Sequence, residues 1–144
     1  MKKITPFKHI LVATDGSKFS EEAVKYAVKL ARETGVKLTV LHVANVQGYI
    51  EVMWHDMKKR YMDEAEMIMK KLREELNFDD NVNFIIKEGI PYRKIVETAY
   101  ELGCDLIVLG SHGHSTLEKI LLGSVAERVI GISHIPVMIV PPRE

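Results

Sequence analysis

A chain of 144 residues, 47% apolar and 28% charged, is expected to form one domain, residues 1–144, whose core needs neither disulfide nor structural metal. Lys and Arg (20) equal Asp and Glu (20), which argues against nucleic-acid binding, whose footprint is a basic excess. Cys104 is the single cysteine, Pro6 and Lys8 interrupt any signal peptide, and no apolar run approaches the ~20 residues of a membrane span, so the expectation is a soluble, cytoplasmic protein.

In chain order, the first β-branched run is 9–14 (HILVAT), nearly continuously apolar, as a strand covered on both faces reads. Ala23, Ala27, Leu30 and Ala31 then recur at helical spacing up to Gly35, a candidate C-terminal cap. The run 37–44 (KLTVLHVA) alternates more, as a strand nearer an edge would, and so does 81–87 (NVNFIIK). Between them Met57, Tyr61, Ala65, Ile68, Met69, Leu72 and Leu76 form a long helical stripe, preceded by a loop at 45–51 and closed at 78–80. Pro91 is placed for a first helical position ahead of Ile95, Val96, Ala99 and Leu102, with Gly103 after them. A second continuously apolar strand, 105–109 (DLIVL), a helix through Leu117, Leu121, Val125 and Val129, and a last strand at 135–140 complete the chain. Strict alternation of this kind implies a parallel sheet with helices on both faces. Ligands of such sheets bind beyond the carboxyl ends of the strands, so those loops carry the chemistry.

After the first strand comes Ala13-Thr14-Asp15-Gly16-Ser17. One reading is a turn capped by Asp15 or Ser17; the other is a carboxylate that meets a ribose, a base or the water shell of a metal. After the fourth strand comes Gly110-Ser111-His112-Gly113-His114-Ser115-Thr116, and later Gly123-Ser124-Val125. Two glycines three apart permit close backbone approach to a ligand. Ser115 with Glu118, and Ser124 with Glu127, have the form of capping boxes, with a break at Gly123. A helix start after Gly-Ser is a ready anion site. His112 and His114 lack a clustered third metal ligand. P-loop, Gly-x-Gly-x-x-Gly and Gly-x-Ser-x-Gly patterns are all absent.

Gly110-x2-Gly113-x9-Gly123-Ser124 resembles the ATP-binding signature of the universal stress protein family. The likeness extends through Thr14-Asp15-Gly16-Ser17, Leu41-His42-Val43, Gly89-x-Pro91, the stretch 105–113 and the stretch 136–140. The resemblance implies an α/β, Rossmann-like open five-stranded parallel sheet of order 3-2-1-4-5. It implies that Ala13, Thr14 and Asp15 line base and ribose, that the main chain of Val43 meets adenine, and that Leu109 and Gly110 sit by the ribose. His112, Gly113, Gly123, Ser124 and Val125 would hold the phosphates, with Ser111 and His114 completing the candidate set. Ala13 stands where related ATP binders commonly carry proline. The implied cofactor is ATP, or ADP or AMP, with Mg or Mn bound through the phosphates. The implied assembly is a homodimer through the strand 135–140, with neither nucleic acid nor membrane as partner. The expected function is a nucleotide-dependent stress-response or signalling module. The rival readings are a slow ATPase or phosphotransferase at the same site and a nucleotide-free dimerisation module. No general base, arginine finger or catalytic lysine stands out, so the chain is not expected to be a dedicated enzyme.

Overall fold

The computed structural model describes residues 7–45, 51–77, 81–112 and 122–142. Residues 46–50 of the expected loop at 45–51, the helix end at 78–80, the Ser115–Glu118 capping box and the helix positions Leu117 and Leu121 fall outside them. The elements are β1 (His9–Thr14), α1 (Lys18–Thr34), β2 (Lys37–Asn45), α2 (Glu51–Leu76), β3 (Val82–Gly89), α3 (Pro91–Glu101), β4 (Leu106–Gly110), α4 (Ser124–Ile132) and β5 (Val137–Val140). All strands pair in parallel, in the order β3-β2-β1-β4-β5. The strand order reverses between β1 and β4, as the family resemblance implies.

Alternation along β1 assigns the helices to their faces, because successive side chains of a strand point to opposite sides. Ile10 and Val12 share a core with Ala23, Val24 and Ala27 of α1 and with Met69 and Leu72 of α2. Leu11 and Ala13 pack with Ile95, Val96 and Ala99 of α3 and with Ala126 and Val129 of α4. Every β1 residue is buried, which is why the run reads as continuously apolar. Helix ends follow local chemistry. Ser17 is the N-cap of α1, its Oγ accepting from Ser20 N at 3.2 Å, and Gly35 closes the helix. Pro91 opens α3 as expected.

The strand 37–44 lies one place in from the edge and is more deeply buried than its alternation suggests. It forms β2, between β1 and β3, and Leu38 through His42 are all buried. The polar positions that made it alternate are Thr39 and His42, and hydrogen bonds satisfy them in place of solvent. His9 Nε2 lies 2.7 Å from Thr39 Oγ1, and His42 Nδ1 donates to the Thr14 carbonyl at 2.8 Å. Asp105 precedes β4 rather than opening it, its carboxylate accepting from the Lys8 and His9 amides at 2.8 and 3.2 Å. The last strand begins at Val137, two residues later than expected, because Ile135 N donates to Ser133 Oγ at 3.0 Å in a turn.

Candidate functional site

The carboxyl ends of β1, β2 and β4 open into a cavity of about 470 Å³. Its floor is Ala13, Thr14 and Asp15, where β1 runs into α1. Val43 of β2 stands on one side, and Leu109, Gly110 and His112 on the other. Gly123, Ser124 and Val125 close the far end at the start of α4. Ser111 is buried but is not on the wall; its Oγ lies 2.7 Å from His112 Nδ1. Gly113 and His114 lie outside the described residues.

Asp15 both closes the turn and faces the cavity, so its two readings are compatible. Its Oδ1 accepts from Ser17 N at 2.9 Å and from Ser20 Oγ at 2.8 Å. Its own amide donates to Ser20 Oγ at 3.2 Å, and Thr14 Oγ1 lies 2.9 Å from the same hydroxyl. Ser20 is thus the hub that fixes this carboxylate. Sequence reading gave Ser20 no role, since a serine inside the first helical turn carries no distinguishing signal.

Gly110 also answers to a packing constraint. A Cβ added there would lie 2.8 Å from the Phe19 carbonyl oxygen and 3.2 Å from Ser20 N. The missing side chain admits the first turn of α1, so packing by itself requires glycine on the wall of the cavity. Gly16 serves the turn directly, with φ of +83°.

The Ser124–Glu127 capping box does not form. Gly123 is the N-cap of α4, with no side-chain cap bond, and Ser124 is the first helical residue. Glu127 N already donates to Gly123 O at 2.9 Å, so the ladder starts one residue before the serine. Gly123 N donates to Ser111 O at 2.6 Å, tying the start of α4 to the exit of β4. The next three amides, of Ser124, Val125 and Ala126, have no acceptor within the helix, and all three residues line the cavity. That end of the cavity is a set of backbone donors at a positive helix terminus.

A profile of the universal stress protein family matches residues 6–141. The chain belongs to the universal stress protein family. It is 36% identical over 139 residues to universal stress protein MJ0531 of Methanocaldococcus jannaschii, covering 93% of this chain and 82% of that one. The solved structure of MJ0577, from the same organism, superposes with a TM-score of 0.85 at 34% identity, covering 97% of this chain and 99% of that one. A universal stress protein solved in complex with cAMP gives a TM-score of 0.74 at 26% identity, over 94% and 98% of the two chains.

In this universal stress protein the cavity has one wall that no glycine signature announces. Tyr61, Glu64 and Ile68 of α2 line it, as do His42 and Asn45 of β2 and Ile95 of α3. Tyr61 and Ile68 belong to the apolar stripe read from the sequence, but periodicity does not say whether a stripe faces core or cavity. Among the described lining residues the carboxylates are Asp15 and Glu64, and none is Lys or Arg. No group of three or more His, Cys, Asp or Glu suited to a metal occurs among the described residues. No described helix is long and apolar enough to cross a membrane.

Proposed function

We propose that the cavity binds an adenine nucleotide, with ATP as the leading ligand, and that occupancy makes the protein a nucleotide-dependent stress-response or signalling module. The observation that carries this reading is the pairing, across one cavity, of a fixed carboxylate at the β1 exit with three amides at the start of α4 that have no helical acceptor. The volume of about 470 Å³ suits a ligand of nucleotide size. The relative crystallised with cAMP supports the adenine class. In this reading Ala13, Thr14 and the main chain of Val43 meet the base, Asp15, Leu109 and Gly110 the ribose, and His112, Gly123, Ser124 and Val125 the phosphates. A divalent cation, Mg or Mn, would come with the phosphates, since the described wall offers two carboxylates and no clustered ligand set.

Calorimetry with ATP tests the assignment. Gly123→Val puts a side chain beside the amides that meet phosphate and is expected to abolish binding. The loss of a glycine N-cap should lower stability by only about 1 kcal/mol, leaving the protein folded. Unchanged ATP affinity in that variant would sink the phosphate assignment. In this reading the site binds rather than turns over, since no general base, arginine finger or catalytic lysine stands out in the sequence. Phosphate release is expected to stay well below the ~10 per second of a typical enzyme. Release at that rate, lost in Asp15→Ala, would favour the ATPase reading.

The partner in this reading is a second copy of the chain. β5 is an edge strand of apolar residues, Val137 to Val140, each only half-buried, and α4 beside it exposes Ile130 and Ile132. Antiparallel pairing of two such edges satisfies their unpaired backbone groups about a two-fold axis. Light scattering is expected to give a dimer for the wild type and a monomer for Ile139→Pro. Pro136 and Val140 bond to β4, so in this parallel register the Ile139 amide faces the open edge. A wild type that stays monomeric at high micromolar concentration rules this assembly out.

A further inference from the structure

The two halves of α2 differ in what holds them. Ala65, Met69 and Leu72 in the second half are buried in the core, and Arg32 donates to the Leu76 and Asn77 carbonyls at 2.9 and 2.8 Å to close the helix. Residues 52–63 contain no buried side chain. Trp54, Met57 and Tyr61, all half-buried, recur at i, i+3 and i+7 and so share one face. The rings of Trp54 and Tyr61 lie 5.5 Å apart between centroids. Tyr61 continues this face onto the cavity wall, followed by Glu64 and Ile68. An ion pair joins this half to the sheet, Lys58 Nζ to Glu88 Oε2 at 3.5 Å, with side chains 51% and 42% exposed. Exposed pairs of that kind contribute little.

A helix segment whose side chains are at most half-buried sits at the low end of local stability. Tyr61 carries this face onto the cavity wall, so a ligand that fills the cavity adds a contact to a half-buried stretch of helix. We infer that a bound ligand and the first half of α2 stabilise each other through Tyr61, making this half-helix the element that registers occupancy. The inference rests on the adenine-nucleotide reading of the cavity and adds to it a ligand-contacting residue, Tyr61, and a readout. Binding that orders a segment and a segment that tightens binding are two sides of one coupling free energy.

Trp54 is the single tryptophan of the chain, so its emission reports on this half of α2 alone. The experiment titrates the full chain with ATP and Mg²⁺, followed in parallel by calorimetry, Trp54 emission and amide hydrogen exchange. The emission is expected to change with the calorimetric midpoint, and exchange over 54–64 to slow more than exchange over 65–76. Tyr61→Leu is expected to lose the emission change and to bind ATP about three- to tenfold more weakly, the range for one aromatic contact. Heat of binding with unchanged emission and exchange overturns this inference and leaves the nucleotide reading standing. Wild-type affinity in Tyr61→Leu overturns it equally. Absence of any heat of binding overturns the nucleotide reading and this inference with it. Should Tyr61→Leu fail to fold, the wild-type exchange profile decides alone.

Discussion

The two rims of the sheet are built on opposite principles. At the amino rim, polar groups pair with one another: Asp105 accepts from the Lys8 and His9 amides, and the His9 ring meets Thr39 Oγ1. Little is left there for a ligand to satisfy. At the carboxyl rim the same backbone ends with donors that the helix cannot use, at Ser124, Val125 and Ala126, beside a carboxylate already fixed by Ser17 and Ser20. The closed rim pairs its described polar groups with one another and holds a pocket of about 120 Å³; the open rim carries the cavity of about 470 Å³. The contrast gives physical content to the rule that parallel sheets bind ligands beyond their carboxyl ends.

Substitutions sharpen that contrast. The largest effect is expected along α2, which begins beyond the open rim and ends over the core. Met69, 4% exposed, is expected to cost about 2–5 kcal/mol when changed to Ala. Met57→Ala, in the half without buried side chains, is expected to cost under about 1 kcal/mol. Urea unfolding measures both, and equal losses would show that the first half of α2 is anchored as firmly as the second. Next comes Gly110→Ala, whose new methyl group meets the Phe19 carbonyl rather than a flexible side chain. Forcing that contact is expected to cost about 1–3 kcal/mol. A neutral outcome would mean that α1 can retreat from the β4 exit, and that this side of the cavity is less rigid than its packing indicates.

The smallest effect belongs to the closed rim. Burial holds the His9 imidazole below its ordinary 6.5; the Leu102 carbonyl opposes this, Lys37 adds to it and Asp105 opposes it. Above the unfolded value the ring is neutral in both states, and its contribution to stability is complete. As pH falls below it, the unfolded chain takes up the proton first, so stability declines until the folded ring protonates as well. Urea midpoints at about pH 7.5 and about pH 5.5 are therefore expected to differ in the wild type, with less of a difference in His9→Asn. An identical difference in the two proteins would assign the pH dependence to other groups.

Most of the fold was legible in the sequence because the burial pattern of each element is written in its own residues. A strand covered on both faces leaves an apolar run, as β1 and β4 do, and Ser17, Gly35 and Pro91 mark helix ends through chemistry confined to a few positions. Where a polar side chain is satisfied by a distant partner, local pattern misleads. Thr39 and His42 made β2 alternate like a half-exposed strand, although His9 and the Thr14 carbonyl, far away in sequence, satisfy them inside the sheet. The site divides in the same way. Asp15 and the Gly123-Ser124 start of α4 were visible as a turn carboxylate and a helix entry, since both signals are local. Only tertiary structure could decide that Gly110 is small for the sake of α1, that the α4 cap is Gly123, and that Tyr61 and Glu64 face a cavity. The sequence by itself determined the elements, their alternation and the end of the sheet where chemistry lies, because these follow from periodicity and capping. What stands opposite a given side chain is set by how elements distant in the chain pack together, and periodicity carries no record of that.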